Sequence, residues 1–385
     1  MAALAGITAG LGLYVHIPFC ARKCTYCDFP SYAGKMSLRG DYVRALAQEI
    51  ARAGELHGRP QADTVYIGGG TPTLLMPTQM QTVLEAIHAA FTLSPQVEFS
   101  CEANPGMVSD AMLDTLVQGG VNRLSLGAQS ANAQELAALG RQHTWPQVAD
   151  AVQRARRAGI TNLNIDLMMG LPGQTMATFD DTLSAVLALA PAHISCYGLI
   201  VEEGTPLAAS IQAGALTLPP EDEERALYDL ALIRLSDAGY ARYEVSNFAR
   251  PGYACRHNLH CWQRVPYMGF GAAAHSLMPG LDERRANPAD ISAYLSGCPA
   301  QVQQLTPQEQ RFESIMLGLR MVEGVSLDAF EAMHGMPMQA VYAAPMRRAV
   351  DSGRAEISDG AFRLTPNGMD VMNAVLVDFL DEGQE

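Results

Sequence analysis

Residues 14–27 read Tyr14-Val15-His16-Ile17-Pro18-Phe19-Cys20-Ala21-Arg22-Lys23-Cys24-Thr25-Tyr26-Cys27, a short apolar strand followed by a loop with three cysteines. The C-x3-C-x2-C spacing keeps the three thiols in one loop, where they can converge on a single centre. Cysteine thiolates are the usual protein ligands of iron–sulfur clusters. A 4Fe-4S cluster held only by Cys20, Cys24 and Cys27 has one iron without a protein ligand, and this open site can bind a reactant. The spacing therefore predicts such a cluster.

Other uses of the three thiols fit the sequence less well. A disulfide would leave one thiol unpaired, and the preceding residues lack the basic segment of a secretory signal. A structural zinc site needs four ligands, so His16, Asp28 or a distant cysteine such as Cys101 would have to supply the fourth. Structural zinc and ordinary buried thiols remain the alternatives to the cluster.

The composition favours a protein of the reducing cytosol without a nucleic-acid partner. The chain has 385 residues, of which 48% are hydrophobic, enough for one large α/β domain and a smaller one. Its net charge of −14 argues against a nucleic-acid partner, because phosphate binding needs basic patches. The basic run at 154–157 is interpreted as a solvated helix face. The eight cysteines are unevenly spread, which suits a reducing cytosol, and every apolar run is too short to span a bilayer.

Apolar strands and amphipathic helices alternate through the middle of the chain, after a loose leader at residues 1–12. Strands are predicted at 13–17, 64–67, 97–101, 122–126, 161–166, 194–199 and 241–245. Helices are predicted at 38–53, 78–91, 131–139, 146–158, 175–189 and 221–238. Such alternation implies an α/β fold with a parallel sheet and right-handed crossovers. About six units make a partial (β/α)6 barrel, whose ligands bind at the carboxyl ends of the strands.

The alternation stops after Pro279. Later elements are predicted as two helices within 306–333, a third at 341–352, a hairpin within 354–364 and a last helix at 366–380. This order is typical of a winged-helix-like module, which the acidic charge makes a structural or partner-docking cap rather than a DNA reader. The predicted domains are therefore the barrel at 13–280 and a C-terminal winged-helix-like domain at 300–385.

Glycine-rich or polar residues follow the predicted strands one after another. The second strand runs into GGGTPT at 68–73, and consecutive glycines allow a ligand to approach the backbone closely. Glu102 ends the next strand, Gln129 ends the fourth with Arg141 beyond it, and Asp166 ends the fifth. Each residue alone fits an ordinary loop. Their recurrence at successive strand ends predicts a ligand site at the mouth of the barrel.

The motifs IPFC-x3-C-x2-C, GGGTPT, E-x-N-P, GAQS and NIDLMMGLPGQ occur in this order within residues 13–280. Together they closely resemble those of the coproporphyrinogen III oxidase-like family of radical S-adenosylmethionine (SAM) proteins. The resemblance implies a radical SAM partial barrel in which SAM binds the open iron of the cluster. It also implies the residues that line the SAM site: Tyr14, Tyr26, Gly69, Gly70, Thr71, Glu102, Gln129, Arg141 and Asp166.

Two branches of this family differ in the cysteine loop. The oxygen-independent coproporphyrinogen III oxidases carry a further cysteine, C-x3-C-x2-C-x-C, and an N-terminal extension that helps to cover the substrate. Here Phe29 stands at the additional position, and about a dozen residues precede the first strand. Both departures resemble the other branch, the radical SAM heme chaperones.

A second motif, in the segment near 255–276, also resembles the heme chaperones. Arg256-His257-Asn258-Leu259-His260-Cys261-Trp262 is similar to their H-N-x-x-Y-W motif. The resemblance implies that His257 ligates heme, since imidazole is a good axial ligand. Cys261 stands where the family has tyrosine, and a thiolate is itself a candidate heme ligand. The simpler roles are a hydrogen-bonded structural histidine and an ordinary buried thiol.

The resemblance implies a cytoplasmic heme chaperone that binds a 4Fe-4S cluster, SAM and heme and delivers heme to respiratory apoproteins. Its partners would be those apoproteins, including membrane-bound ones met transiently, and an electron donor for the cluster. The alternative is an oxygen-independent coproporphyrinogen III oxidase, a radical SAM oxidative decarboxylase, although Phe29 argues against that activity. A zinc-stabilised interaction protein is a third hypothesis, which metal analysis would distinguish.

Overall fold

The computed structural model of the protein describes residues 10–380. Most of the predicted leader, residues 1–9, therefore lies outside the described residues. The end of the leader is part of the fold, because Leu11 is buried and Gly12 begins the first strand. All the motifs of the sequence fall within the described range.

Seventeen strands form within residues 10–380. They are β1 (Gly12–Ile17), β2 (Phe19–Cys20), β3 (Tyr32–Ala33), β4 (Gln61–Gly69), β5 (Thr92–Ala103), β6 (Arg123–Gln129), β7 (Asn162–Met169), β8 (His193–Gly198), β9 (Ala241–Arg242), β10 (Asn247–Ala249), β11 (Tyr267–Phe270), β12 (His275–Leu277), β13 (Glu283–Ala286), β14 (Gln301–Gln304), β15 (Val325–Ser326), β16 (Ala355–Ser358) and β17 (Ala361–Leu364). Twelve of them form one sheet in the order β14-β13-β12-β11-β1-β4-β5-β6-β7-β8-β10-β9.

The same part of the chain forms fifteen α-helices. They are α1 (Arg39–His57), α2 (Pro77–Ala90), α3 (Asp110–Gln118), α4 (Ala133–Ala138), α5 (Trp145–Arg157), α6 (Met176–Leu189), α7 (Pro206–Gln212), α8 (Glu221–Asp237), α9 (Arg256–Trp262), α10 (Ile291–Leu295), α11 (Pro307–Gly318), α12 (Leu327–His334), α13 (Met338–Asp351), α14 (Pro366–Asp370) and α15 (Met372–Leu380). None of these described helices combines the length and the apolar character needed to cross a bilayer.

The centre of the large sheet is parallel, as the alternation of strands and helices predicts. β1 pairs with β4, and β4 to β8 follow in chain order, each parallel to the next. β11 also pairs with β1 in parallel, and short antiparallel strands extend both edges. The predicted α/β class is confirmed, and within residues 10–380 the sheet is open, with β14 and β9 at its edges.

The crossover helices form where apolar residues recur at helical spacing. In α2, Met80, Leu84 and Ile87 lie on one face and are all buried. The helix begins at Pro77, in the first turn, where the missing N–H costs no hydrogen bond. The buried face joins the core of the sheet, which includes Ile67 of β4.

The C-terminal module has a hydrophobic core of its own. That core is built from α11–α13, α15 and the sheet β15-β17-β16, and its aromatic residues are Phe330, Tyr342, Phe362 and Phe379. The predicted hairpin is present as β16 and β17 and turns at Asp359 and Gly360, both with positive φ. The predicted last helix is divided into α14 and α15. Val245 N donates to Arg320 O (3.0 Å), which joins the module to the large sheet domain.

Candidate functional site

The cysteine loop lies at the carboxyl end of the parallel strands, where the sequence predicts the site. Ile17 at the end of β1 pairs with Gly69 at the end of β4, so the loop and the glycine turn leave the sheet side by side. Thr25 N donates to Leu139 O (3.1 Å), and Leu207 N donates to Thr25 O (2.9 Å). These bonds hold the loop against the end of α4 and the start of α7.

The three thiols of the loop are free and partly buried. Thr71 Oγ1 lies 4.0 Å from Cys20 Sγ, and Ser31 Oγ lies 4.0 Å from Cys27 Sγ. Burial raises the pKa of both thiols, and the neighbouring thiols raise it as well. The described residues contain no group of three or more His, Cys, Asp or Glu side chains arranged to hold a metal ion.

The side chains that could complete a zinc site are placed unfavourably for it. The Tyr14 hydroxyl lies 2.8 Å from His16 Nδ1, and His16 Nε2 lies 2.9 Å from Pro30 O, so both ring nitrogens have partners. Cys101 is buried and donates to a backbone carbonyl (3.4 Å), and Asp28 is exposed. The histidine instead links Tyr14, a predicted SAM-site residue, to the cysteine loop.

Two half-buried carboxyl groups line the mouth beside this loop. Glu102 accepts hydrogen bonds from the Tyr66 hydroxyl (2.9 Å) and from Gly69 N (3.0 Å). Burial and the neighbouring Asp166 raise the pKa of Glu102 to about 7. Burial also raises the pKa of Asp166, which accepts a hydrogen bond from Asn164 Nδ2 (2.6 Å). A cationic ligand would stabilise the ionised forms of both groups.

The glycine turn packs too tightly against the loop for larger residues. A Cβ at Gly69, where φ is +111°, would lie 2.5 Å from the His16 ring. A Cβ at Gly70 would lie 2.7 Å from Phe19 O, the same carbonyl that accepts from Thr71 N (2.8 Å). The turn therefore positions the loop through its backbone. Its N–H groups bond within the protein, so a ligand amino group, itself a donor, would not compete with them.

Arg141 connects the cysteine loop to β6. Its Nη1 donates to Cys24 Sγ (3.5 Å) and its Nη2 donates to Gly127 O. Its buried Nε has no hydrogen-bond partner among the described residues. A cavity of about 160 Å³ adjoins this side chain and is also lined by Cys24 and Thr71. A free donor beside a cavity and a thiol suits a ligand that carries acceptor oxygens.

Gln129 and Tyr26 complete the set of residues at the mouth. Gln129 sits at a β-bulge with φ +67° and accepts a hydrogen bond from the Tyr197 hydroxyl (3.1 Å). Burial raises the pKa of Tyr26, which lies near Arg141 and Asp166. Tyr197, like Tyr66, is absent from the residues that the sequence predicts for the site. The alternation of side chains along a strand could have indicated both tyrosines, because each lies on a central strand just before its carboxyl end.

The nine residues assigned to SAM come together at this end of the sheet. Seven lie in the cysteine loop or close to the carboxyl ends of β4–β7, Arg141 follows α4, and Tyr14 lies within β1. The Tyr14 ring stacks on Tyr66, whose hydroxyl donates to Glu102, and burial raises the pKa of Tyr14. The three thiols suit a 4Fe-4S cluster. The two carboxyl groups suit the cationic part of a ligand, and the Arg141 Nε, which is unpaired among the described residues, suits its anionic part.

The histidine of the heme motif lies toward the other end of the sheet. His257, in α9, has its Nδ1 2.9 Å from Thr64 Oγ1 of β4. Its ring stacks on Tyr66 with centroids 5.2 Å apart, and the residue is 6% exposed. Burial, together with the neighbouring His260 and Arg123, lowers the pKa of His257 to about 3. Strand β1 rises about 17 Å over its length at 3.3 Å per residue, and Tyr66 connects the two sites, because its ring stacks on His257 and its hydroxyl donates to Glu102 (2.9 Å).

The last residues of α9 approach the C-terminal module. Burial raises the pKa of Cys261 to about 11, so this thiol is protonated at neutral pH. The guanidinium carbon of Arg320 lies 5.3 Å from the centroid of the Trp262 ring. The buried Nε1 of Trp262 has no hydrogen-bond partner among the described residues. The heme motif therefore extends from the large sheet to the module.

Comparisons with known proteins agree with this architecture. The Radical SAM superfamily profile matches residues 14–186, and the HemN C-terminal domain profile matches residues 305–371. A radical SAM domain implies a 4Fe-4S cluster and SAM as cofactors. Among solved structures, the radical SAM enzyme coproporphyrinogen III oxidase (HemN) of Escherichia coli has a TM-score of 0.84 at 23% identity, covering 97% of this chain and 90% of that one. This similarity establishes the fold.

Two curated relatives establish the family. Heme chaperone HemW of Bacillus subtilis (strain 168) is 36% identical, covering 96% of this chain and 99% of its own. Heme chaperone HemW of Escherichia coli (strain K12) is 32% identical, covering 97% and 98%. The chain therefore belongs to the HemW family of heme chaperones, on a radical SAM fold.

Proposed function

We propose that this protein is a cytoplasmic heme chaperone that binds heme and delivers it to respiratory apoproteins, including membrane-bound ones. The observation that carries the proposal is the identity of 36% and 32% to two proteins named heme chaperone, over nearly the whole chain. Phe29 supports it, because the coproporphyrinogen oxidases have a cysteine there, and this ring is 65% exposed and offers no ligand atom.

In this proposal Cys20, Cys24 and Cys27 hold the cluster, and the nine residues at the mouth hold SAM. When bound, the cluster and SAM supply one-electron chemistry, for which an external electron donor is needed. Glu102 and Asp166 orient the cationic part of SAM. The free Arg141 Nε donates to an oxygen of the ligand.

Heme binding is proposed within the segment that contains α9. His257 and Cys261 stay the predicted ligands of the motif, and their contacts set what ligation would require. His257 bonds to Thr64 through Nδ1, so its Nε2 would be the ligating nitrogen, and the site, where the residue is 6% exposed, would have to open to heme. Cys261 would have to lose its proton despite the burial that raises its pKa to about 11.

Hemin titration of the anaerobically reconstituted protein tests the proposal. We expect a saturable Soret change at one heme per chain, and transfer of that heme to an apocytochrome on mixing. With SAM and a reductant, we expect no conversion of coproporphyrinogen III. Conversion of that substrate by protein that binds no heme would overturn the proposal in favour of the decarboxylase.

A further inference from the structure

A cavity of about 680 Å³ lies between the end of α9 and the C-terminal module. One wall is formed by residues 262–266 and 279–281, and the other by parts of α11, α12, β15 and β17. Its apolar lining includes Val265, Leu281, Val325 and Phe330. A cleft of this volume with mostly apolar walls is in the range that binds cofactor-sized ligands. We call it the module cleft.

A buried arginine with an unused donor forms part of the module cleft. Arg264 is 1% exposed and has φ +60°, a conformation that costs energy for a residue with a side chain. Its Nε donates to Glu313 (2.9 Å) and its Nη2 donates to Leu281 O (2.7 Å), whereas its Nη1 has no partner among the described residues. An anionic ligand would reach the buried Nη1 once the side chains that cover it move aside.

The charges around Arg264 favour an anion. Arg284 also pairs with Glu313, at 3.0 Å, so two guanidinium groups share one carboxylate. The acidic residues in the lining, Glu323 and Asp359, are exposed at the rim, whereas Arg264 is buried. A ligand carboxylate that entered the cleft would give the Arg264 guanidinium a second anionic partner besides Glu313.

Two thioethers also line the module cleft. Met321 is 7% exposed, and Met333 is 38% exposed and accepts a hydrogen bond from Ser314 Oγ (3.6 Å). Methionine sulfur is an established axial ligand of heme iron. The apolar walls match the ring of a heme, the buried Arg264 matches its propionates, and the methionine sulfur atoms match its iron.

We propose that the module cleft is the heme site of this protein, with a propionate on Arg264 and the sulfur of Met321 or Met333 toward the iron. This inference rests on the proposed function and deepens it. The Trp262 end of the heme motif meets the ligand, because Trp262 lines the cleft. His257 acts instead as a structural residue that fixes α9 to Thr64 and Tyr66.

Filling the cleft tests the inference. Ala329 lies on α12, is exposed and lines the cleft, whereas Ala332 on the same helix is exposed and does not. We expect Ala329→Trp to raise the Kd for hemin at least tenfold and Ala332→Trp to leave it within twofold. Circular dichroism and thermal unfolding of the full-length variants check that both fold like the wild type.

The outcomes separate the inference from the proposed function. A wild-type protein that binds no hemin would refute the proposed function itself. Equal hemin binding by wild type and Ala329→Trp would refute the cleft and leave the chaperone standing. For the ligand, a Met321→Leu/Met333→Leu double variant should shift the Soret band while still binding iron-free protoporphyrin IX, and an unshifted Soret band would refute thioether ligation.

Discussion

The two ends of the central sheet differ in which of their polar groups have hydrogen-bond partners. At the carboxyl end, three thiols are partly exposed, two carboxyl groups have raised pKa values, and Arg141 Nε is unpaired within the described chain. Toward the amino end, Glu98 accepts from Arg256 N (2.9 Å) and His257 N (3.0 Å), and His257 itself bonds to Thr64. The carboxyl end has donors and acceptors left for a ligand, whereas Glu98 and Thr64 at the other end are used to fix α9.

This difference shows why a histidine in a motif is not by itself evidence of ligation. Imidazole can ligate iron through one nitrogen while the other bonds within the protein, so the burial of the ring, rather than one hydrogen bond, opposes ligation. His257 has a hydrogen-bond partner and a stacking partner, Tyr66. In the cysteine loop, Cys20 and Cys27 have hydroxyl contacts of only 4.0 Å, and Cys24 accepts a hydrogen bond from Arg141 (3.5 Å).

The largest expected effect is at the carboxyl end. Cys24→Ala should abolish the visible absorbance of the reconstituted cluster, because a site of three thiolates loses one of its ligands. The control is Cys298→Ala, which removes an exposed thiol outside the loop and should leave the absorbance unchanged. Iron and sulfide analysis would check the result, and full cluster content in Cys24→Ala would refute the ligand assignment.

At the amino end we expect a loss of stability rather than of cofactor. His257→Ala removes a buried ring and leaves Thr64 without its partner, which should lower the free energy of unfolding by about 2–4 kcal/mol. His275→Ala is the control, since His275 is exposed. Urea unfolding measures the change. A stable His257→Ala variant that had lost heme binding would mean that the amino end, too, holds a ligand.

A smaller effect is expected at Glu102. Its pKa of about 7 means that the ionised fraction rises between pH 6 and 8, so the affinity for the cation SAM should rise with pH. Glu102→Gln should flatten this profile and weaken SAM binding at pH 8 about tenfold, or about 1.4 kcal/mol. Calorimetry at several pH values, with the exposed Glu55→Gln as control, measures both. A profile unchanged in Glu102→Gln would exclude this carboxylate from the site.

The same carboxyl group affects stability without SAM. Because its pKa rises from 4.5 to about 7 on folding, the native state keeps the proton to a higher pH than the unfolded state. The free energy of unfolding should therefore fall as the pH rises from about 4.5 to 7.

The smallest effect is expected at Phe29. Because the ring is 65% exposed, Phe29→Cys should change the free energy of unfolding by no more than about 0.5 kcal/mol. Cluster absorbance and hemin affinity should stay within twofold of wild type, and coproporphyrinogen III should remain unconverted. Conversion by this variant would mean that the two branches of the family differ by one residue.

The parts of the fold that the sequence predicts best are local. The second strand is predicted at 64–67 and spans Gln61–Gly69, because an apolar run and a glycine turn mark it within a few residues. Strands β13 and β14 are not predicted, since their residues are half-buried or exposed at the sheet edge and carry no apolar pattern.

The candidate sites divide in the same way. The cysteine loop is visible as a spacing of a few residues, whereas the bond between Thr64 and His257 joins positions 193 residues apart. The module cleft combines residues 262–266 with residues of the C-terminal module, and neither segment has a motif that indicates the other. Only the folded chain brings such residues together.

Strand β1 runs from the module cleft at one end of the sheet to the cysteine loop at the other. At its start, Gly12 N donates to Pro266 O (3.0 Å), next to the module cleft, and a Cβ on Gly12 would lie 3.5 Å from the His257 ring. At its other end the chain enters the cysteine loop. Because β1 is paired with β11 on one side and β4 on the other, it fixes the distance between the cysteine loop and the wall of the module cleft.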